Sequence, residues 1–332
     1  MNSGENSVSD NYHPEGIRPY IDIARIDHWF KNAFMLLGVA LAFFYQPGLF
    51  DTGSILRLIA AVGLTCLVAS SNYVLNEYLD AEMDRSHPTK CNRPAARGAI
   101  KGTYAYAEWL ALGAIGVGFS FQLGTGFGLS ALALWVMGCL YNIPPIRMKE
   151  LPYLDVLSES LNNPIRLFLG WFALVPEHMP PLSLAISYWM LGAYFMACKR
   201  YAEYRTIDDP ERAARYRKSF GHYDLSRLMT SITFYLSLAG LFGGIFVVRY
   251  KFELILAMPF VAWFFAMYMS MTLEDDSPVQ NPEKLYKRKG FFAFALLCSA
   301  VFVVLMFSEI PSLYPLFRVD SVEFPALWRM GG

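Results

Sequence analysis

Oxygen-bearing side chains recur at four-residue intervals at the end of a long apolar stretch, at Asn76, Asp80 and Asp84. On an α-helix, each step of four residues advances about 40° around the axis and about 6 Å along it. The three side chains would therefore share one helical face, and their oxygens suit Mg²⁺, which also takes substrate phosphates as ligands. A basic segment follows and would supply the cations of a phosphate site, at Lys90, Arg93 and Arg97. The pattern predicts a diphosphate held through Mg²⁺ at a membrane surface.

A solvated helix end is the alternative explanation for these acids, because opposite charges four residues apart form weak surface pairs. That explanation requires charges of both signs. The segment from Asn76 to Asp84 instead holds four acids and no base before Arg85. Like charges repel one another unless a cation lies among them. A metal site is therefore the favoured interpretation.

A second charged segment follows the sixth apolar stretch, where Lys199 and Glu203 would lie one helical turn apart. Such a pair is often only a helix-stabilising contact. A charge near the end of a membrane span is costly unless it reaches the interface, pairs or meets a ligand, so we favour a functional role. Further along, Arg217 and Lys218 are candidates for contact with a phosphate, in a run that otherwise suits a solvated surface attracted to anionic lipid.

Arg166 is a cation inside the fifth apolar stretch. An arginine at membrane depth costs at least about 2.5–3.5 kcal/mol, so its side chain is expected to face a polar cavity or an acid. Asp155 lies eleven residues earlier, three turns along the same helical face, and an ion pair with it is the structural alternative. Arg147 and Lys149 precede Asp155 and add cations to the same side.

The segment before the first apolar stretch combines an aromatic residue with cations, at Arg25, Trp29 and Lys31. Tryptophan is typical of the membrane–water interface, so an interface anchor explains this segment. Contact between its cations and the phosphate of a lipid substrate explains it equally well. Both interpretations stay open at this point.

The composition is that of a membrane protein, with 55% hydrophobic residues, 17% charged residues and a mean hydropathy of +0.31. Apolar stretches long enough to span a bilayer recur along the chain. We predict an all-α, polytopic membrane protein with nine transmembrane helices and charged catalytic loops after helices 2 and 6, at about 85–103 and 199–227. The predicted stretches are 33–49, 55–75, 104–122, 124–141, 155–176, 181–198, 228–248, 252–272 and 291–309.

Lysine and arginine gather before the first stretch and in alternate loops, which places the N-terminus and the charged loops in the cytoplasm by the positive-inside rule. Residues 1–20 are expected to form a mobile polar tail, 21–309 the transmembrane catalytic domain, and 310–332 a C-terminal tail. The widely spaced cysteines predict neither a zinc site nor a disulfide framework. No pattern indicates a nucleic-acid partner, and the choice between a monomer and a homo-oligomer stays open.

The acidic motif resembles the first Asp-rich motif of the UbiA-type intramembrane prenyltransferase superfamily, with Asn76-x3-Asp80-x3-Asp84 followed by Arg93-Pro94 and Gly98. Within that superfamily the chain is most similar to the decaprenyl-phosphate phosphoribosyltransferase branch. The motifs that carry this similarity are His87-Pro-Thr-Lys90-x2-Arg93-Pro94, Trp29-x-Lys31-Asn32 and Lys199-Arg200-Tyr201-Ala202-Glu203. The chain departs from the usual patterns at Glu77, where the branch usually has Asp, and in lacking a second Asp-rich motif at 199–205.

The resemblance implies a Mg²⁺-dependent transfer of 5-phosphoribose from phosphoribosyl pyrophosphate to a polyprenyl phosphate, in a bacterial inner membrane with the active site facing the cytoplasm. The implied metal ligands are Asn76, Glu77, Asp80 and Asp84. The implied catalytic residues are Asp80, Asp84, Lys199 and Glu203. The implied substrate-binding residues are Lys31, Lys90, Arg93, Arg97, Arg147, Arg166, Arg200 and Tyr201.

Two other functions stay open. A prenyltransferase that moves an isoprenyl group from a prenyl diphosphate to an aromatic acceptor would share the fold and the metal site, although the missing second Asp-rich motif disfavours it. A transporter of anionic lipid or solute would show broken helices near the membrane midplane, and only Asn163-Pro164 suggests such a break.

Overall fold

The computed structural model describes residues 16–49, 51–85, 90–207, 209–280, 285, 287–319 and 327–329. Within these ranges the fold is helical, as predicted, and a single isolated β-bridge joins His178 to Arg329. The α-helices are α1 (Arg18–Ile23), α2 (Leu36–Tyr45), α3 (Thr52–Arg85), α4 (Gly102–Ser120), α5 (Thr125–Asn142), α6 (Leu154–Ser160), α7 (Asn162–Leu174), α8 (Leu182–Ile207), α9 (Pro210–Tyr216), α10 (Leu225–Tyr250), α11 (Met258–Thr272), α12 (Lys289–Phe307) and α13 (Leu313–Phe317).

Membrane-spanning potential is clear for five helical segments in the part of the chain that the structure describes. Each is long and apolar enough to cross a bilayer, which confirms the prediction of an integral membrane protein. They are Thr52–Arg85, Thr125–Asn142, Leu225–Tyr250, Phe252–Thr272 and Lys289–Phe307. Helices also lie in the other four predicted stretches, as α2, α4, α6 with α7, and α8, but these are shorter or less apolar. The count of nine transmembrane helices stays a prediction.

The fifth predicted stretch is divided into two helices, α6 and α7, with Leu161 between them in a helical backbone conformation. Pro164 has no backbone N–H to donate to the carbonyl of Ser160, and its ring would clash with that carbonyl. The side-chain amide of Asn162 donates to the backbone oxygen of Glu159 at 3.0 Å and so satisfies one group at the break. The interruption is local, because the backbone N–H of Leu161 still donates to the carbonyl of Leu157 and that of Ile165 to the carbonyl of Leu161.

The helices that carry the predicted site extend beyond their apolar stretches. α3 continues to Arg85, so the segment from Asn76 to Asp84 is helical throughout. α8 continues to Ile207, so the second charged loop begins later than predicted and Lys199 lies within the helix. The last turn of α8 is bonded to the end of α11, because Arg205 donates to the backbone oxygen of Leu273 at 2.5 Å.

Close helix packing positions the elements around the site. Gly38 on α2 and Gly170 on α7 lie so near the opposite helix that an added Cβ would meet backbone atoms of Leu167 or Met35. Trp171 of α7 is completely buried in an apolar cluster to which Met35 and Leu169 also belong. A second apolar cluster joins α8, α10 and α11. The ends of α3, α5 and α8 carry the polar residues that these contacts hold in place.

The two predicted tails are partly structured. α1 begins at Arg18, and its Pro19 and Ile23 are buried. In the C-terminal segment, the hydroxyl of Tyr314 donates to Glu253 at 3.2 Å, and Trp328 accepts a backbone hydrogen bond at 2.9 Å. Residues 1–15 and 320–326 lie outside the described residues, so the predicted mobility of the N-terminal tail stays a prediction.

Candidate active site

Asp80 is the centre of a polar cluster formed by α3, α5 and the segment between α5 and α6. Its Oδ1 accepts from Nη2 of Arg147 at 2.8 Å and from Nζ of Lys149 at 2.6 Å. Lys149 also donates to Oδ1 of Asn142 at 2.9 Å. Burial lowers the pKa of Lys149, and the charge of Asp80 opposes that shift. The predicted residue Arg147 therefore reaches the acidic motif, together with Lys149, which the sequence did not single out as a site residue.

Arg147 reaches Asp80 from an unusual backbone conformation. Its φ of 30° and ψ of 62° lie in the left-handed region, which residues other than glycine rarely adopt. Ion pairs to Asp80 and to Glu150, both at 2.8 Å, hold its guanidinium in place. Such conformations cost about 1–3 kcal/mol and persist where the surroundings fix them, often at functional sites.

Asp84 lies one turn further along α3 and is buried. Its carboxylate forms ion pairs with Arg93 at 2.6 Å and with Lys90 at 3.9 Å, both from the loop that follows α3. Burial lowers the pKa of Lys90, and the charge of Asp84 opposes that effect. The first charged loop therefore brings two of its predicted cations to the second carboxylate of the motif.

The candidate Mg²⁺ ligands on α3 are Asn76, Asp80 and Asp84, whose side chains contact other protein groups in this structure. The second carboxylate oxygen of Asp80 accepts from the amide of Asn76 at 3.3 Å, and Asp84 follows one turn later. Two carboxylates and an amide suit Mg²⁺, which usually takes its remaining ligands from substrate phosphates and water. Glu77 is turned elsewhere, because its Oε1 accepts from the backbone N–H of Ala95 at 3.4 Å. No three acids converge on one metal position within the described residues.

Arg200 lies beneath the surface at the end of α8, with a side chain that is 2% exposed. Its guanidinium forms ion pairs with Asp155 at 3.3 Å, Glu159 at 3.3 Å and Glu203 at 3.1 Å. Lys199 lies 4.0 Å from Glu203. Three carboxylates more than compensate the charge of Arg200, so this geometry favours a role in orienting those acids. Its predicted contact with substrate stays a prediction.

Arg166 and Asp155 do not form the ion pair that their spacing suggested. Asp155 instead accepts from the hydroxyl of Tyr223 at 2.8 Å and from Ser219 at 3.1 Å, besides Arg200. Nε of Arg166 donates to Oδ1 of Asn32 at 3.1 Å. Eleven residues rise about 16 Å along a helix, which is too far for a direct contact, so the structural alternative for Arg166 is wrong. Arg166 is a buried cation that forms no ion pair with any described acid.

Lys31 lies in the electrostatic field of charged residues from other elements. Its Nζ is 5.9 Å from the centre of the Tyr73 ring. Burial lowers the pKa of Lys31, and the charges of Arg25, Arg166 and Lys199 lower it further, while the charge of Glu159 opposes the shift. Cations within one another's field repel one another unless an anion compensates them. The arrangement is suited to binding an anionic group.

The remaining predicted residues are placed less centrally. Arg97 is exposed on the first charged loop. Tyr201 is 8% exposed and belongs to the apolar cluster of α8, α10 and α11. His87, part of the motif that carries the resemblance, lies outside the described residues. The substrate contacts predicted for Arg97 and Tyr201 stay predictions.

Glu150 connects the acidic motif on α3 to the second charged loop, a link that the sequence did not predict. It forms ion pairs with Arg147 and with Lys218, both at 2.8 Å. Arg147 in turn contacts Asp80, so the acidic motif on α3 is linked to the loop that follows α9. An acid three residues after a predicted site arginine was the available signal in the sequence.

The chain is similar to known proteins in sequence and in fold. A sequence model of the UbiA prenyltransferase family matches residues 33–295. A decaprenyl-phosphate phosphoribosyltransferase of Corynebacterium glutamicum is 31% identical over 209 residues, which are 61% of this chain and 59% of the relative. A decaprenyl-phosphate phosphoribosyltransferase of Mycolicibacterium smegmatis is 30% identical over 218 residues, which are 63% of each chain. The chain thus spans about three-fifths of the length of these curated relatives.

The fold is also similar to a solved structure of a UbiA homolog from Archaeoglobus fulgidus bound to GPP and Mg²⁺. The TM-score is 0.64, with 18% identity, and the match covers 87% of this chain and 98% of the other.

Proposed function

We propose, because this chain belongs to the UbiA prenyltransferase family, that it transfers 5-phosphoribose from phosphoribosyl pyrophosphate to a polyprenyl phosphate. The names of the curated relatives support this donor and acceptor. The excess of lysine and arginine in alternate loops supports a cytoplasmic active site. The bacterial sources of the relatives support a bacterial inner membrane.

The donor diphosphate belongs at the acidic motif in this proposal. Asp80 and Asp84, with Asn76, would hold Mg²⁺, and the bound ion would stabilise the negative charge of the departing pyrophosphate. Lys90 and Arg93 contact Asp84 and so lie beside that position. Fixed cations that face developing charge lower the barrier because they need no reorganisation during the reaction.

The observation that carries the choice of acceptor is the pair of cations Lys31 and Arg166. Neither side chain forms an ion pair with an acid in the described part of the chain, and Arg166 is only 9% exposed. A buried charge without a counter-ion costs several kcal/mol. An ionised lipid phosphate would compensate Arg166 and add to the compensation of Lys31, whereas an uncharged aromatic acceptor would leave Arg166 without a counter-ion.

The chemistry then requires no general base. The bond from the ribose anomeric carbon to the pyrophosphate oxygen breaks, and an oxygen of the lipid phosphate forms the new bond to that carbon. The nucleophile is already ionised, so the product is a phosphate diester and no proton has to be removed. Lys199, held 4.0 Å from Glu203 by its place on α8, would help to neutralise the phosphates during this exchange.

The deciding experiment supplies membranes that contain the expressed chain with Mg²⁺ and labelled donors. Label that moves from phosphoribosyl pyrophosphate into an organic-extractable lipid supports the proposal, and Asp80→Ala and Lys199→Ala should each abolish the transfer. Label that moves only from a prenyl diphosphate into an aromatic acceptor would establish the alternative function. Glu82→Gln, on the exposed side of the same helix, is the matched control and should retain activity.

A further inference from the structure

Arg217 is a cation in the second charged loop that the proposed chemistry leaves without a role. Its guanidinium carbon lies 5.9 Å from the centre of the Phe220 ring, and its Nε is buried without a hydrogen-bond partner. No acid lies within 4.0 Å of it in the ranges that the structure describes. A buried donor without an acceptor is costly, so a ligand oxygen at this position would be stabilised.

The residues that follow Arg217 are anchored to the segment that carries Arg147. Nζ of Lys218 forms an ion pair with Glu150 at 2.8 Å. The hydroxyl of Ser219 donates to Asp155 at 3.1 Å. These contacts fix the backbone beside Arg217, so its side chain is held in place although it has no acid partner of its own.

Arg217 is connected to the acidic motif through its neighbour Lys218. Lys218 pairs with Glu150 and Glu150 with Arg147, each at 2.8 Å. Arg147 in turn pairs with Asp80 at 2.8 Å. The side chain of Arg217 therefore lies beside contacts that lead to the acidic motif, where the diphosphate of the donor is proposed to bind.

Arg200, near the end of α8, is poorly suited to bind a further phosphate. Its guanidinium already faces Asp155, Glu159 and Glu203, and its side chain is 2% exposed. A phosphate brought to Arg200 would meet three carboxylates. Arg217 faces no acid, and a guanidinium matches phosphate oxygens with paired hydrogen bonds.

We propose that Arg217 binds the phosphate carried on the sugar of the donor, the group that a prenyl diphosphate lacks. This inference rests on the proposed function and deepens it. Asp80, Asp84 and Arg93 serve the diphosphate that both donor classes share, whereas Arg217 selects the donor that has a further phosphate.

The test compares two ligands of the purified full-length protein in detergent with Mg²⁺, phosphoribosyl pyrophosphate and inorganic pyrophosphate. Arg217→Met is expected to weaken binding of the sugar donor about 10- to 100-fold, from the loss of charged hydrogen bonds, and to change pyrophosphate binding by less than about two-fold. Arg217→Lys should restore part of the affinity, since it keeps the charge without the paired geometry. Arg212→Met, at an exposed cation of the same segment, is the control.

Retained pyrophosphate binding also shows that the variant is folded. Equal weakening of both ligands, or an unchanged affinity for the sugar donor, overturns the role of Arg217 while the proposed function stands. Wild-type protein that binds pyrophosphate and a prenyl diphosphate but not phosphoribosyl pyrophosphate overturns both.

Discussion

The carboxylate of Asp155 lies 3.3 Å from Nε of Arg200, and these two side chains are 0% and 2% exposed. Arg200 continues to Glu203 at 3.1 Å, and Asp155 continues to Tyr223 at 2.8 Å. One buried polar cluster therefore joins α6, α8 and the segment before α10. A buried ion pair adds little net stability, because desolvation offsets the attraction between its charges. Its contribution here is to fix the position of Glu203 and hence of its neighbour Lys199.

Asp155→Asn is expected to destabilise the protein by about 3–5 kcal/mol, because removing one partner leaves a buried charge poorly compensated. The effect should lie towards the lower value, since Glu159 and Glu203 still face Arg200. Denaturant unfolding of the purified protein in detergent measures it. The control is Glu274→Gln, whose pair with Arg288 is half exposed and should be worth less than about 1 kcal/mol. Equal stability of the two variants would contradict the role given to Asp155.

Asp84→Asn tests the metal site. Because metal stabilisation of a leaving group is worth several kcal/mol, the variant is expected to transfer label at least about 100-fold more slowly than wild type. Higher Mg²⁺ concentrations should restore part of the rate, because the amide still offers an oxygen ligand. Initial rates over a Mg²⁺ titration measure both effects. Wild-type rates at low Mg²⁺ would show that Asp84 holds no catalytic metal.

The arrangement of the acidic motif could be predicted because its residues lie on one continuous helix. Asn76, Asp80 and Asp84 are fixed relative to each other by the helical period alone, and α3 continues through all of them. The sequence predicted that cations of the following loop lie near these acids, but not which of the cations contact them. Arg93 pairs closely with Asp84, whereas Arg97 is exposed.

The contacts of the basic residues Arg166 and Arg200 could not be predicted from sequence spacing. The partners of Arg200 include Asp155, which lies 45 residues away along the chain. The spacing of Asp155 and Arg166 suggested one shared face, but eleven residues also separate two side chains by about 16 Å along a helix. Asp155 instead pairs with Arg200 from α8. Contacts between elements depend on the tertiary packing of α6, α7 and α8, which no local period encodes.

Arg166→Gln is expected to raise the KM for the polyprenyl phosphate about 10- to 100-fold, with a change of less than about two-fold in the KM for the sugar donor. Glutamine can still contact Asn32 but carries no charge for the lipid phosphate. Steady-state kinetics with each substrate varied in turn measure the two values. Arg249→Gln, at an exposed cation near the end of α10, should change neither. A selective effect of Arg166→Gln on the donor would instead assign Arg166 to the diphosphate.

Stability is expected to fall in mild acid because of His28. Burial lowers the pKa of His28 from its usual value, and the charges of Arg25 and Lys31 add to this, while the hydrogen bond of His28 to the carboxylate of Asp27 opposes it. The folded protein therefore binds fewer protons than the unfolded chain just below about pH 6.5, so the free energy of unfolding decreases as the pH falls through that window.

His28→Asn should make this pH dependence shallower, which unfolding measured between about pH 5 and pH 7.5 would reveal. The exposed His222, replaced in the same way, is the control. An unchanged slope in His28→Asn would contradict the expected shift.

Gly170→Ala tests the contact that positions α7 and therefore Arg166. An added Cβ would meet the backbone carbonyl of Met35 on the preceding segment, and backbone cannot move aside as a flexible side chain can. The expected loss of about 1–3 kcal/mol from overpacking exceeds the gain of up to about 1 kcal/mol that alanine brings to a helix. Gly240→Ala on α10, where an added Cβ meets nothing within 4 Å, is the matched control and should be neutral or stabilising. Because α7 must shift to relieve the clash, Gly170→Ala should also raise the KM for the lipid phosphate, whereas Gly240→Ala should leave that KM unchanged.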